Sequence, residues 1–235
     1  MMESEGFDSR VLPQAGKESS AVADFARAFV NSAVETPVNG ALQALNKATG
    51  AALPDLHICA APEHSSRAAD EGLTAGALVD LVVLSKFSRA AMGELGGTGM
   101  GGQALRAGVV GGIFTGLLEP SDPDSKTFLK DRLENFGVGA ITLGVVGASA
   151  HALNLTEFLS ANTLANRVAL GAFAGLNGGL AYAESNAILK QHQAFPELNE
   201  TLRDARDFAG LGAFLGAASS ARALTNERFI KPSAF

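Results

Sequence analysis

Glycine recurs at every fourth position inside apolar stretches of this chain, and this spacing limits its fold more than any other feature. Residues four apart lie on one face of an α-helix, so each set forms a stripe without large side chains. Each helical glycine costs about 1 kcal/mol relative to alanine, and close approach of a second helix offsets that cost through added van der Waals contact. The sequence therefore predicts helix-packing positions at Gly108, Gly112, Gly116, Gly144, Gly171, Gly175, Gly179, Gly212 and Gly216.

Helical periodicity extends beyond these stripes. From residue 20 to about residue 47 apolar side chains recur at intervals of three or four, and no long segment alternates convincingly with period two. We expect an all-α fold, a bundle of helical hairpins whose Gly/Ala-striped helices pack closely. Pro37 is expected to kink the first helix or to restart it. One alternative stays open: residues 108–114 include Val109, Val110 and Ile113, whose β propensity would also suit a strand.

Changes in composition along the chain predict its organisation. The expected parts are a flexible acidic tail at 1–19, N-terminal helices at 20–95, a Gly-rich joint with the sequence GGTGMGG at 96–102, a duplicated helical-hairpin region at 103–225, and a C-terminal tail at 226–235.

The duplication rests on a weak internal match. Residues 104–118 resemble residues 165–180, and residues 128–153 resemble residues 200–224. Each copy would form one helical hairpin. In the first copy Asp122-Pro123 is expected to begin the second helix, with aspartate as N-cap and proline at the first helical position.

Charge and cysteine content narrow the class of protein. The net charge is −6 and the Lys and Arg residues form no dense patch, so we expect no nucleic-acid partner. The single cysteine, Cys59, cannot form an internal disulfide, which fits a reducing compartment. The first 20 residues are polar and lack the apolar core of a secretory signal peptide. The expected location is therefore cytoplasmic or peripheral to a membrane.

The sequence contains no complete catalytic or ligand-binding motif. Gly16-Lys17 lacks the upstream glycine of a P-loop, and the joint at 96–102 lacks both a following lysine and a preceding strand. His57, Cys59 and His64 have metal-ligand side chains, but their spacing matches no zinc pattern. We therefore expect no catalytic residues, no cofactor, no metal and no enzymatic activity.

Asp80 interrupts an apolar helix and is the candidate for a buried charge. Its neighbours three and four positions away on both sides are apolar or small. Two interpretations remain open. Asp80 lies at an exposed rim, or its carboxylate is buried and paired with an arginine from another helix.

Segment length separates two possible functions. A membrane-spanning helix needs about 20 apolar residues. The charge-free stretches at 107–118, 168–183 and 208–221 are shorter, and the longer one at 135–156 carries several polar residues. We expect a structural or interaction module that self-associates or binds a helical partner or a membrane face. The alternative is a membrane-active protein whose hairpins insert into a bilayer and perturb or permeabilise it.

Overall fold

The computed structural model describes residues 21–59, 66–92, 97, 99–154 and 163–230, and within these it leaves the side chains of 89–92, 154 and 219–230 undescribed. The described part is all-α, as predicted, and contains no strand. The stretch 108–114, for which a strand was the alternative, is helical. The helices are α1 (Ala21–Val30), α2 (Thr36–Thr49), α3 (Arg67–Met92), α4 (Met100–Ile113), α5 (Phe128–Asn154), α6 (Leu164–Leu189) and α7 (Leu198–Ile230).

The first helix continues through Pro37 by a local change of helix type. A π-helical segment, Asn31–Glu35, joins α1 to α2, and the Thr36 amide donates to the Asn31 carbonyl five residues earlier. Proline has no amide hydrogen and its ring collides with the carbonyl four residues before it in an α-helix. The wider π turn directly before Pro37 absorbs this misfit. The expected interruption is thus a change of register within one helical path.

Two antiparallel pairs form the second half of the bundle. A second π-helical segment, Phe114–Leu118, ends the α4 path, and α5 returns along it, so that Gly108 faces Ala140 and Gly116 faces Arg132. The pair α6 and α7 is also antiparallel, and the side chain of Asn177 on α6 bonds Ser149 on α5, which links the two pairs. Both halves of the predicted duplication are therefore hairpins, while their common origin stays a prediction.

The N-terminal layer is arranged differently. From α2 the chain runs back as an irregular segment, Gly50 to Cys59, and α3 then packs on α1 in the same direction. Gly72 of α3 contacts Phe25, and Gly76 contacts Ser32, whose hydroxyl donates to the Leu73 carbonyl at 2.7 Å.

Several boundaries differ from the expected ones. Asp122-Pro123 does not begin a helix, because Asp122 accepts a hydrogen bond from the Asp124 amide in a turn and α5 starts at Phe128. That expectation was wrong. Helix α4 begins at Met100, inside the expected Gly-rich joint, and α7 continues to Ile230, inside the expected C-terminal tail.

The interior of the described bundle is made mostly of small side chains. None of its large side chains is fully buried, and the buried apolar residues are mostly alanines: Ala28, Ala69, Leu78, Val110, Phe128, Val138, Ala174, Ala183, Ala187 and Ala205. Many Phe, Leu, Ile and Val side chains lie outward instead. Small residues at the helix contacts let the backbones approach closely, so little space remains between the helices for large apolar side chains.

Candidate functional site

Glycines of α4 and α5 lie where the two backbones come closest. A Cβ atom added to Gly108 would lie 2.9 Å from the Ala140 carbonyl oxygen, and one added to Gly116 would lie 2.6 Å from the Phe136 Cβ. At Gly112 the nearest atoms belong to the Phe136 ring, at 2.7 Å. Gly144 is looser, since its Cβ would meet the Ala104 carbonyl oxygen at 3.4 Å, an ordinary contact distance.

Contacts between α6 and α7 are closer and involve main chain on both sides. A methyl group on Gly171 would overlap the Gly212 carbonyl oxygen, and the same holds in reverse. Gly175 faces the Phe208 carbonyl in the same way, and a Cβ on Gly179 would lie 2.5 Å from the Ala205 Cα. Gly216 faces the Arg167 carbonyl. The atoms that an added methyl group would overlap belong to the main chain, so they cannot rotate away as a side chain can. One of the two helices would have to move to admit the methyl group.

Other close glycines were not among the predicted positions. Three of them lie on the contact between α5 and the α4 path: Gly111, Gly139 and Gly147. Gly178 lies instead between α6 and α5, where its Cβ would meet the Val146 side chain. Others join the N-terminal layer: Gly40, whose Cβ would overlap the Leu118 carbonyl oxygen, and Gly72 and Gly76 on α3. A stripe of strict four-residue spacing covers one line along a helix, whereas a helix interface also uses positions three apart. A pattern that also includes the three-residue spacing contains Gly111, Gly147 and Gly178, each three positions after a predicted glycine. Gly139 lies at neither spacing from a predicted glycine.

Arg132 joins the N-terminal layer to the first hairpin, and sequence reasoning missed it. Its side chain is buried, 7% exposed, and its guanidinium donates to the carbonyl oxygens of Gly116 at 3.1 Å, Leu117 at 2.6 Å and Gly40 at 3.0 Å. It also donates to Gln43 Oε1 at 3.4 Å. The charged run KTFLKDRLE predicts a solvated helix end, and this arginine departs from that pattern.

The electrostatic setting of Arg132 explains how a cation is kept there. Burial lowers the pKa of its guanidinium, while the charge of Glu119 acts in the opposite direction. Two of its acceptors are carbonyls at the C-terminal end of the π-helical segment, where the helix dipole favours a cation. Its guanidinium carbon also lies 4.9 Å from the centre of the Phe128 ring. Main-chain carbonyls therefore accept most of the hydrogen bonds of this buried cation, while its Nε is buried without an acceptor among the described residues.

Glu35 is a second buried charged residue, and two main-chain amides donate hydrogen bonds to its carboxylate. It is 2% exposed, and its Oε1 accepts from the Ile58 and Cys59 amides, each at 2.8 Å. The Asn31 side chain donates to Oε2 at 3.2 Å. The pKa of Glu35 is lowered, chiefly by the hydrogen bond from the Cys59 amide, although burial acts the other way. A charge-assisted bond of this kind contributes about 1.5–3 kcal/mol.

Two asparagines extend this contact along α2. Asn39 donates to the Leu56 carbonyl at 3.0 Å and accepts from the Leu56 amide at 2.6 Å. Asn46 does the same with Leu53, at 2.8 Å and 3.0 Å. Each amide side chain thus pairs with both main-chain groups of one residue, as a neighbouring β-strand would. We call the segment 53–59 the strap.

Cys59 and His57, two of the three residues with metal-ligand side chains, lie in the described strap. Burial, with the nearby Glu35 carboxylate, raises the pKa of the Cys59 thiol, which disfavours the reactive thiolate. His57 is exposed, and His64 lies outside the described residues. Across the ranges that are described, no group of three His, Cys, Asp or Glu side chains could hold a metal ion.

Asp80 lies partly buried on α3, one turn beyond Gly76. Residues 72, 76 and 80 are four apart and so lie on one face of α3, and on this face Gly72 and Gly76 pack against residues 25–33. Within the described part of the chain its Oδ2 is buried without a hydrogen-bond donor, and no arginine or lysine forms an ion pair with it. Desolvation raises the pKa of Asp80 to about 6.

The raised pKa of Asp80 predicts how stability changes with pH. A carboxyl whose pKa rises on folding favours the folded state most when protonated, so its contribution is full below pH 3.8 and is lost as pH rises through about 6. Asp80→Asn should therefore raise the free energy of unfolding at pH 7.5 and leave it nearly unchanged at pH 4. Urea unfolding of both proteins at the two pH values measures this. Equal effects at both pH values would contradict the prediction.

The described residues define a class of protein, an all-α bundle in which several helix pairs approach each other at glycine. One described helix, Phe128–Leu153 within α5, is long and apolar enough to cross a membrane, which is weak evidence by itself. No protein-family model, curated protein or solved structure matches the chain.

Proposed function

We propose that this chain is a structural module without catalytic activity, which associates through its helices. The supporting observation is the inverted distribution of side-chain size among the described residues. Alanine and glycine occupy the contacts between helices, and large apolar side chains lie outward. Contiguous exposed apolar surface commonly marks a site of association, because water is excluded from it when a partner binds.

The outer face of α6 is the surface that we propose for self-association. Phe173, Leu176 and Leu180 follow one another at intervals of three and four residues and are 53%, 39% and 38% exposed. We call these three residues the α6 stripe. The stretch 168–183 that contains it has no charged residue. Apolar residues at this spacing form the seam of paired helices, and a second copy of the chain offers the same seam.

A membrane-active role is the second candidate, and two observations favour it. Helices embedded in lipid place small side chains at their mutual contacts and large apolar side chains toward the lipid, and this chain shows the same distribution. The helix at Phe128–Leu153 also has the required length and hydropathy.

The placement of charges favours association with protein over insertion of the α6–α7 hairpin. Gly179, inside the charge-free part of α6, contacts Asp204 and Ala205 of α7. Arg203, 67% exposed, and Arg206, 87% exposed, lie in the same part of α7. A bilayer that contained the α6 stripe would thus contain these charges, each costing about 2.5–3.5 kcal/mol at its centre.

Sedimentation velocity tests the proposal. The wild-type chain should sediment as a species heavier than its 24.0 kDa monomer, with a concentration-dependent fraction of dimer or higher oligomer. Leu176→Ser with Leu180→Ser should shift it to monomer with an unchanged circular dichroism spectrum, because both side chains are already partly exposed. Leu198→Ser is the control, since Leu198 is 72% exposed and lies outside the stripe.

Liposomes added to the same experiment separate the two candidates. Self-association requires that the chain remain in the supernatant and that any bound fraction be released by alkaline carbonate. A wild-type monomer that pellets with vesicles and resists carbonate would replace the association proposal with the membrane-active one. A wild-type chain that is monomeric and does not bind vesicles would contradict both candidate functions.

A further inference from the structure

The contact between the two hairpins differs from the contacts inside them. Within each hairpin, glycines of one helix face main-chain carbonyls of the other. Between the hairpins the nearest atoms belong to side chains. A Cβ on Gly178 of α6 would overlap a methyl group of Val146 on α5, and a Cβ on Gly137 of α5 would lie 3.0 Å from a methyl carbon of Leu189 on α6. We call this contact of α5 with α6 the seam.

Polar side chains of α5 lie along the seam. Asn135, Thr142 and Ser149 follow one another at intervals of seven residues, so they lie on nearly the same face of the helix. Ser149 accepts a hydrogen bond from the Asn177 side chain at 3.1 Å, and the Thr142 carbonyl oxygen lies 3.7 Å from the Cβ position of Gly178. The polar face of α5 is therefore turned toward α6.

Two oxygen atoms of this polar face are buried without a hydrogen-bond partner among the described residues. They are Thr142 Oγ1 and Asn135 Oδ1, and Thr142 is only 3% exposed. A buried oxygen without a partner raises the free energy of the closed seam, and water can bond it as soon as the helices separate. These polar groups therefore favour opening of the seam over opening of either hairpin.

We propose that the seam opens in the folded protein, and that the hairpins α4–α5 and α6–α7 separate there as two intact units. Local opening of this kind requires less free energy than global unfolding. It uncovers the buried face of α5, whose segment Phe128–Leu153 has the length and hydropathy to cross a membrane, without unfolding either hairpin. Opening does not require association through the α6 stripe, which lies on the outer face of α6.

Two cysteine probes of equal burial test the proposal. Both are made in the Cys59→Ser background, which leaves no other thiol. Ser185→Cys places a thiol on the seam, because Ser185 is seven residues after Gly178 and shares its face. Ala183→Cys is the matched control, because Ala183 is four residues after Gly179 on the line of glycines that contacts α7. Both positions are 4% exposed.

A chromogenic disulfide reagent measures how often each thiol is uncovered. In native buffer the Ser185→Cys protein should react at least about tenfold faster than the Ala183→Cys protein, because only the seam opens locally. Urea below the unfolding transition should accelerate the Ser185→Cys reaction much less than the Ala183→Cys reaction, since local opening exposes less surface than unfolding. Equal rates, or equally steep urea dependence, would overturn the proposal.

The Ser185→Cys protein provides its own reference if the Ala183→Cys protein does not fold. Its free energy of unfolding, measured in urea, predicts the reaction rate that global unfolding alone would allow. A measured rate above this value supports local opening. A rate no faster than this value would refute it.

Removal of the unpaired hydroxyl tests why the seam opens. Thr142→Val keeps the shape of the side chain and removes Oγ1, so the closed seam becomes more stable relative to the open one. In the Ser185→Cys protein this substitution should slow the thiol reaction at least about fivefold, which corresponds to the lower limit for the cost of an unpaired buried polar group. An unchanged or faster reaction would contradict the proposed cause of opening.

Discussion

Replacing Gly175 with leucine is expected to lower the free energy of unfolding by about 3 kcal/mol, the upper end of the usual cost of overpacking. A Cβ at this position overlaps the Phe208 carbonyl oxygen, so the backbones of α6 and α7 must separate. Gly112→Leu should cost less, because its nearest neighbour is the ring of Phe136, a side chain that is 40% exposed and can rotate away. Thermal melts of the two variants measure the difference.

Helix α7 supplies a matched control two residues apart. Gly212→Ala should destabilise, since its Cβ overlaps the Gly171 carbonyl oxygen. Among the described residues no atom outside its own stretch of helix lies within 4 Å of a Cβ at Gly210, so Gly210→Ala should stabilise by about 0.5–1 kcal/mol through helix propensity. The two substitutions thus carry opposite signs. Leucine at Gly175 that melts at or above the wild-type temperature would refute close packing of this hairpin.

Removal of the Arg132 guanidinium is expected to have a comparable effect. Arg132→Met keeps most of the apolar stem beside Phe128 but leaves the Gly40, Gly116 and Leu117 carbonyls without their donor. A buried acceptor without a partner costs about 1–3 kcal/mol, so we expect a loss of about 3 kcal/mol in urea unfolding. Arg132→Lys should lie between, because one ammonium cannot replace a planar fork with five donors.

The control for Arg132 lies two residues away on the same helix. Lys130 is 57% exposed and pairs with the partly buried Glu134 at 3.4 Å, and Lys130→Met should change stability by no more than about 0.5 kcal/mol. If Arg132→Met had the same free energy of unfolding as wild type, the desolvation cost of burying the cation would cancel the stabilisation from its hydrogen bonds. In that case Arg132 would not hold the N-terminal layer to the first hairpin.

Local sequence patterns were sufficient for the class of fold. Helical periodicity and the absence of two-residue alternation predicted an all-α chain, and the repeated apolar stretches predicted the segments that pair as α4 with α5 and α6 with α7. These features depend on residues within one or two helical turns of each other, so the sequence contains them directly. Pro37 likewise indicated where the first helix changes, because a proline acts on its own turn.

The partners of these local features depend on contacts between distant residues. The charged run around Arg132 predicts a solvent-exposed side chain. Arg132 is buried because it donates to carbonyl oxygens of residues that lie 15, 16 and 92 positions before it in the sequence. Glu35, Asn39 and Asn46 read as ordinary polar residues of a helix until the chain returns beside them. Gly210 and Gly212 have the same propensity cost, yet one faces open space and the other a backbone carbonyl. Amino-acid sequence therefore determined which helices form, since helical hydrogen bonds join residues of one turn. Tertiary structure decided which of their polar side chains and glycines are in contact, because these side-chain hydrogen bonds and close backbone contacts form between elements.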